Sequence, residues 1–232
     1  MSTNSLEARA RAYAALGDPS RLAIVDLLAN ADLASGELGA RLDLPTNLIA
    51  HHLKVLAEAG LVLRRRSEGD GRRSYVTRTS ACNDLIGTDL LGTGLLGVGH
   101  LARPRKVAFV CSQNSARSQL AESYWRTVSD IPVVSGGTHP ARRVHPRAVA
   151  VGRRHGLDLA TARPRLATDV LSGDELIIAV CDRAYEDLAS QPLHWSVPDP
   201  ALVANAEAFE GAYDDITGRI TRLAASFEGE ES

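Results

Sequence analysis

The chain has 232 residues, of which 44 % are apolar and 23 % charged, with a net charge of −2; this is an ordinary balance for one large or two small globular domains. No apolar run reaches the ~18 residues of a membrane span, and the polar residues 1–7 lack the apolar stretch of a signal peptide. A membrane protein, a secreted protein, a collagen-like chain and a fully disordered chain are therefore excluded, and a cytoplasmic location is expected.

The N-terminal third reads as helical. An Ala- and Arg-rich helix spans 6–16. Asp18-Pro19-Ser20 starts the next, with Asp18 as cap and Pro19 at the first helical position; Leu22, Ile24, Val25, Leu27 and Leu28 form its core side. Ser35 is expected to cap a short helix through Leu42. Asp43-Leu44-Pro45 is a turn, and a longer helix runs from Thr46 to Ala59, ended by Gly60. Residues 61–66 are strand-like, 68–71 form a hairpin turn, and 74–78 return as a second strand.

The next stretch, 81–104, repeats a Leu/Gly pattern every five residues and places five glycines within 87–99. That period suits neither helix nor strand, and glycine disfavours a helix by ~1 kcal/mol each relative to Ala. It reads as a connector between domains, either packed through its leucines or free. From 105 onward strands alternate with helices: a buried strand at 107–110, a helix at 115–128, a strand at 131–135 with a Gly-Gly turn, a helix at 145–155, a buried strand at 176–180 and a closing helix at 206–227. This alternation predicts a parallel α/β sheet. The expected organisation is a mainly α winged helix-turn-helix at 1–80, a connector at 81–104 and an α/β domain at 105–232.

Two helices joined by a tight turn and followed by a basic hairpin suit DNA. The second helix enters the major groove, so Thr46, Asn47, Ala50 and His51 are expected at base edges, with His52 and Lys54 nearer the backbone. Arg64, Arg65, Arg66, Arg72 and Arg73 suit phosphates, which supply affinity rather than specificity. Residues 1–80 carry eleven basic and nine acidic side chains, against fourteen and seventeen in 105–232. The run His51-His52-Leu53-Lys54-Val55-Leu56-Ala57-Glu58-Ala59-Gly60-Leu61-Val62, with Gly36-Glu37-Leu38 before it, resembles the ArsR/SmtB family of bacterial repressors. That resemblance implies a homodimer on a palindromic operator, released by a metal or metalloid. Arsenite-sensing members cluster two or three soft thiols, whereas this region has Cys82 alone, which reads as a small core residue.

The sharpest signal is Val110-Cys111-Ser112-Gln113-Asn114-Ser115-Ala116-Arg117-Ser118. A buried strand feeds a cysteine, a loop, an arginine and a helix. The backbone N–H groups of Ser112, Gln113, Asn114, Ser115 and Ala116 and the helix N-terminus converge on one point, an anion cradle that favours a Cys111 thiolate. Arg117 offers a planar fork to two oxygens of a tetrahedral oxyanion, and Ser118 can donate to the sulfur. This arrangement resembles the low-molecular-weight protein tyrosine phosphatase superfamily, which includes thioredoxin- and mycothiol-linked arsenate reductases. The resemblance implies that Asn114 locks the loop, although Gln113 stands where a glycine is usual. It also implies that Asp199, in Val197-Pro198-Asp199-Pro200, is the general acid. In some reductases it implies potassium beside the loop, matching Asn114, Glu122 and Ser135.

Phosphatases of this superfamily stack a phenol on aromatics beside the Asp-Pro pair, but here Ala201 and Leu202 follow. Cys181 matches the second cysteine of thioredoxin-linked reductases, but their third is missing, since 185–194 contain none. Either an external thiol (mycothiol with mycoredoxin, thioredoxin or glutathione) completes reduction, or Cys181 is only core. His145, His155 and His194 are read as helix-surface or cap residues. The expected function is an arsenic-responsive repressor fused to a thiol-dependent arsenate reductase, with no organic cofactor. The expected ligands are operator DNA and arsenate or phosphate. The alternatives are a phosphatase and a catalytically silent regulator that senses an oxyanion.

Overall fold

The computed structural model describes residues 3–86, 101–190 and 192–228. The chain divides into two compact units, the first drawn chiefly from residues up to 86 and the second chiefly from 101 onward. Most of the expected connector, 87–100, lies outside the described residues. Its first residues are helical rather than linker-like.

The first unit comprises α1 (Thr3–Leu16), α2 (Pro19–Leu27), β1 (Leu33–Ala34), α3 (Ser35–Leu42), α4 (Thr46–Glu58), β2 (Val62–Arg66), β3 (Ser74–Arg78) and α5 (Ser80–Ile86). The Asp18 side chain accepts from the Arg21 N–H at 3.0 Å and so caps α2. The cap of α3 differs from expectation: Ala34 holds that position, and its N–H donates to the Glu37 carboxylate at 2.6 Å, so Ser35 is already inside the helix. Asp43 ends α3 in the left-handed region, with φ 52°. There Leu44 N–H reaches back to Gly39 O, which makes the tight turn into α4. Leu38, Ile49 and Leu56 are fully buried between these helices. An antiparallel sheet in the order β1-β3-β2 completes the unit, with Arg64 opposite Val76 and Arg66 opposite Ser74. The two-residue β1 carries too little alternation to be read from sequence.

The second unit comprises β4 (Val107–Cys111), α6 (Arg117–Val128), β5 (Val133–Gly137), α7 (Pro146–Arg154), α8 (Ala167–Val170), β6 (Leu176–Ala179), α9 (Asp182–Asp187), β7 (Leu193–His194), α10 (Pro200–Val203) and α11 (Ala206–Glu228). Its four strands are all parallel, in the order β5-β4-β6-β7. Every residue of β4 is buried, as expected for a central strand covered on both faces. Phe109 meets Trp125 edge to face at 5.8 Å and lies 5.9 Å from Trp195. The Trp125 indole N–H donates to Ile131 O at 2.9 Å, which satisfies the polar atom of this buried ring. Ile216, Ile220 and Phe227 of α11 close the same core.

The chain leaves β4 for β5 on one side and pairs β4 with β6 on the other. The carboxyl end of β4 is thus a topological switch point, where α/β sheets open a crevice. Two expectations are corrected here. Gly136 and Gly137 are the last residues of β5 rather than a turn. Residues 115 and 116 belong to the loop, and the helix begins at Arg117. Among the described residues no helix is long and apolar enough to cross a membrane.

Leu38→Ala is expected to lower the stability of the first unit by about 2–5 kcal/mol, because a fully buried side chain leaves a cavity. Chemical denaturation followed by circular dichroism checks this, and an unchanged midpoint would contradict the packing described.

Candidate active site

Cys111 is the last residue of β4, and Arg117 is the first of α6. The five residues between them wrap around the cysteine sulfur. The Asn114 N–H donates to Cys111 Sγ at 3.1 Å, and Ser118 Oγ lies 3.0 Å from the same sulfur. Asn114 adopts φ 48°, a left-handed conformation that Asn tolerates better than most side chains.

The Asn114 side chain explains why this loop holds one shape. Its Oδ1 accepts from Gln119 Nε2 at 3.0 Å and from the Arg165 backbone N–H at 2.9 Å. A backbone N–H can only donate, so the orientation of the amide is fixed. Its Nδ2 then donates to Ser118 Oγ and to Ser135 Oγ, each at 2.8 Å. Ser118 Oγ keeps its hydrogen available for Cys111, and a thiolate there can only accept it. Ser135 turns its hydrogen to Glu122 Oε2, 2.5 Å away. Two chains of donors thus diverge from the Asn114 amide, one through Ser135 to the Glu122 carboxylate and one through Ser118 to the sulfur, and every member is buried.

Glycine makes the close approach of β5 possible. A Cβ on Gly137 would lie 2.9 Å from both Asn114 N and Ser112 O, closer than carbon can approach either atom. The carbonyls of the loop are bonded as well. His139 N–H donates to Ser112 O, Ala141 N–H to Gln113 O and His145 N–H to Ser115 O, at 2.7–2.9 Å.

Arg117 is buried, with Nη1 donating to Val197 O at 2.9 Å and Nη2 to Asp199 Oδ2 at 2.8 Å. Burial works against its charge, but Cys181, Cys111 and Asp199 more than offset this, and its pKa is raised. Asp199 caps α10 by accepting from the Ala201 N–H at 3.0 Å. The structure therefore brings Cys111, Asn114, Arg117, Ser118 and Asp199 together at one end of the sheet.

Cys181 caps α9, accepting from the Ala184 N–H at 3.4 Å. Burial pushes its thiol up to about 11, against the opposing effect of Arg117. A thiol held in this way is a packing and capping group before it is a nucleophile.

The potassium expectation does not fit the structure. Glu122 is ion-paired to Arg126 and to Arg165, whose Nη2 lies 2.9 Å and 3.1 Å from its two oxygens. A guanidinium already supplies the positive charge there, so no role is drawn from a cation. Among the described residues no group of three or more His, Cys, Asp or Glu is placed to hold a metal ion.

His194 also departs from expectation. It is buried, with Nε2 2.9 Å from Asp182 Oδ1 and its ring stacked on Tyr185 at 4.2 Å. His145 caps α7 through Nδ1. Gln119, Arg165 and Gly137 are site residues that the sequence reading did not name. Only Gly137, in a glycine pair where a strand was expected to end, carried a local signal.

In the first unit, Thr46, Asn47, Ala50, His51 and Lys54 are exposed along α4. His52 is corrected: it is buried, with Nδ1 3.8 Å from Asp18 Oδ1, and it does not share the exposed face. Arg64, Arg66, Arg72 and Arg73 are exposed and Arg65 half-buried; Arg64 Nε donates to Ser74 Oγ at 2.8 Å.

Comparison with known proteins gives two matches to family models. One describes a low molecular weight phosphotyrosine protein phosphatase and covers residues 106–232; the other describes a helix-turn-helix domain and covers 16–65. A putative arsenate reductase of Halobacterium salinarum is 30 % identical over 136 residues, 54 % of this chain and 95 % of that protein. An arsenate reductase of Brevibacillus brevis is 30 % identical over 132 residues, 53 % of this chain and 97 % of that protein. Among solved structures, an arsenate reductase from Archaeoglobus fulgidus is similar with a TM-score of 0.46 and 26 % identity, covering 51 % of this chain and 98 % of that one.

Asn114→Ala would leave the buried Gln119 amide and the Ser118 and Ser135 hydroxyls each short of a partner. The expected cost is about 1–3 kcal/mol, read in urea unfolding followed by tryptophan fluorescence. No loss of stability would contradict the account of the loop.

Proposed function

Since the chain belongs to the low molecular weight phosphotyrosine protein phosphatase family and joins that domain to a helix-turn-helix domain, we propose that its second unit reduces arsenate with an external thiol and its first unit binds operator DNA. The observation that carries the enzyme reading is the sulfur of Cys111 held by Asn114 and Ser118 beside the Arg117–Asp199 pair. The full-length coverage of relatives called arsenate reductases supports it.

The reaction follows from these positions. The loop amides and Arg117 hold arsenate. Arsenate takes over the Arg117 fork from Asp199, which accepts a proton as that ion pair opens. Cys111 Sγ then bonds to arsenic as a thiolate, while an As–O bond breaks and the departing hydroxyl takes the Asp199 proton and leaves as water. An external thiol sulfur then attacks Cys111 Sγ. The new S–S bond forms as the S–As bond breaks, and its electron pair stays on arsenic. Arsenic falls from +5 to +3 and departs as arsenite, and the proton of the thiol passes to an arsenite oxygen. The two electrons come from two sulfurs, each oxidised to the disulfide level. A second external thiol frees Cys111 by exchange.

A phosphatase reading rests on the family model alone. The residues after Asp199-Pro200 are Ala201 and the exposed Leu202, which give an aromatic substrate no ring to stack on. Hydrolysis of an aryl phosphate faster than arsenate reduction would favour the phosphatase.

The first unit supports DNA binding through the exposed side of α4 and the hairpin arginines. A homodimer on a two-fold operator is part of this proposal. Arg64→Ala and Arg66→Ala are expected to weaken binding to all sequences alike, and to flatten the salt dependence by about one unit of log–log slope for each phosphate no longer neutralised. Electrophoretic mobility shifts at several salt concentrations check this.

Arsenite release from arsenate by the purified chain tests the enzyme. Cys111→Ser is expected to abolish turnover. Asp199→Asn is expected to lower kcat by about 10²–10⁴-fold, the usual worth of general acid catalysis. Cys181→Ser is expected to retain turnover with a small thiol. No turnover with any thiol would overturn the reductase reading.

A further inference from the structure

Beside the loop lies a cavity of about 500 Å³, lined by Gln113 and Ser115 on one side and by Arg142, Arg143, His145 and Arg147 on the other. Gln113 and Ser115 are the second and fourth residues after Cys111. The arginine-bearing segment is bonded to this loop by Ala141 N–H to Gln113 O at 2.9 Å and His145 N–H to Ser115 O at 2.8 Å. The three arginines are exposed, and among the described residues no carboxylate pairs with them. Arg117, Arg126, Arg154, Arg165 and Arg219 of the same unit each have such a pair. Burial and Arg147 push the His145 pKa down, Asp199 opposes them and Arg143 adds to them; the three arginines on this wall are what favours an anion.

The volume falls in the range of small-molecule sites. It suits a peptide-sized ligand rather than a bare oxyanion, whose place is the loop amides and Arg117. Resting on the reductase reading, the geometry points to this cavity as the docking site of the second substrate, a small thiol that carries carboxylate groups. Arg142, Arg143 and Arg147 hold the carboxylates, and the thiol sulfur reaches over Gln113 and Ser115 to the Cys111–arsenic adduct. Cys181 lies near Cys111, but burial holds it as a thiol and no further cysteine follows it in the chain to resolve a disulfide between the two, so an external thiol is the donor proposed. The electron balance is that of the reduction above, with this thiol as the attacking sulfur.

The test uses the full chain and three thiols: glutathione, which carries two carboxylates; its diethyl ester, which carries none; and dithiothreitol. The wild type is expected to prefer glutathione over the ester in kcat/KM by about tenfold or more, the worth of one charge-assisted pair. The triple variant R142Q/R143Q/R147Q is expected to lose that preference while its KM for arsenate stays the same. Calorimetric titration with S-methylglutathione, which cannot react, reads the same cavity without turnover: binding is expected in the wild type and not in the variant. Equal use of glutathione and ester, an unaltered preference in the variant, a change confined to the KM for arsenate, or turnover with a protein thiol alone would each overturn the proposal. If no thiol supports turnover but S-methylglutathione binds through the arginines, the reductase reading fails and the anionic docking site stands. If S-methylglutathione does not bind, the docking site fails whatever the turnover.

Discussion

The side-chain amide of Asn114 makes four hydrogen bonds while its backbone stays in the left-handed region. A loop of five residues carrying a buried sulfur has many conformations open to it, and these bonds select one. They join residues from the loop, α6, β5 and the segment before α8, so the shape of the oxyanion cradle is set by the packing of the whole α/β unit. Such a network is worth most when every member is satisfied, because one missing partner leaves several buried groups exposed to the desolvation penalty. The guanidinium of Arg165 and the carboxylate of Glu122 close its far end and supply opposite charges in place of a separate ion.

The placement of this network follows from topology. β4 is the central strand, and the sheet order reverses across it. Its carboxyl end is where backbone amides are left unpaired and where the following helix points its positive end. A cysteine placed there meets the Asn114 N–H and the Ser118 hydroxyl. Arg117 at the start of α6 and Asp199 beside α10 meet in an ion pair from two separate elements, which holds the two side chains together.

Much of this was legible in the chain. The strand–Cys–loop–Arg–Ser–helix run is local, and each part carries its own signal: an apolar run, a fixed spacing, and a helix that follows. The helices α2 to α4 were legible for the same reason, through Asp18-Pro19 at the start of α2, the turn at Asp43 and Gly60 after α4. The rest depends on contacts far apart in sequence. Arg165 lies 51 residues from the Asn114 oxygen it donates to, and no local pattern announces that. β1 and β7 have two residues each, and α8 and α10 four, too short for any period to show. His51 and His52 look alike in sequence, yet ~100° of helical rotation separates neighbours, so one faces outward and the other packs beside Asp18.

The chemistry assigns Cys111 to the bond with arsenic and an external thiol to its release. Mass spectrometry of the chain, quenched after a single turnover with arsenate and a limiting small thiol and then digested, tests that assignment most directly. The account predicts a mixed disulfide between the donor and Cys111, with Cys181 unmodified. A Cys111–Cys181 disulfide, or a Cys111 left unmodified after arsenite has been released, would contradict it.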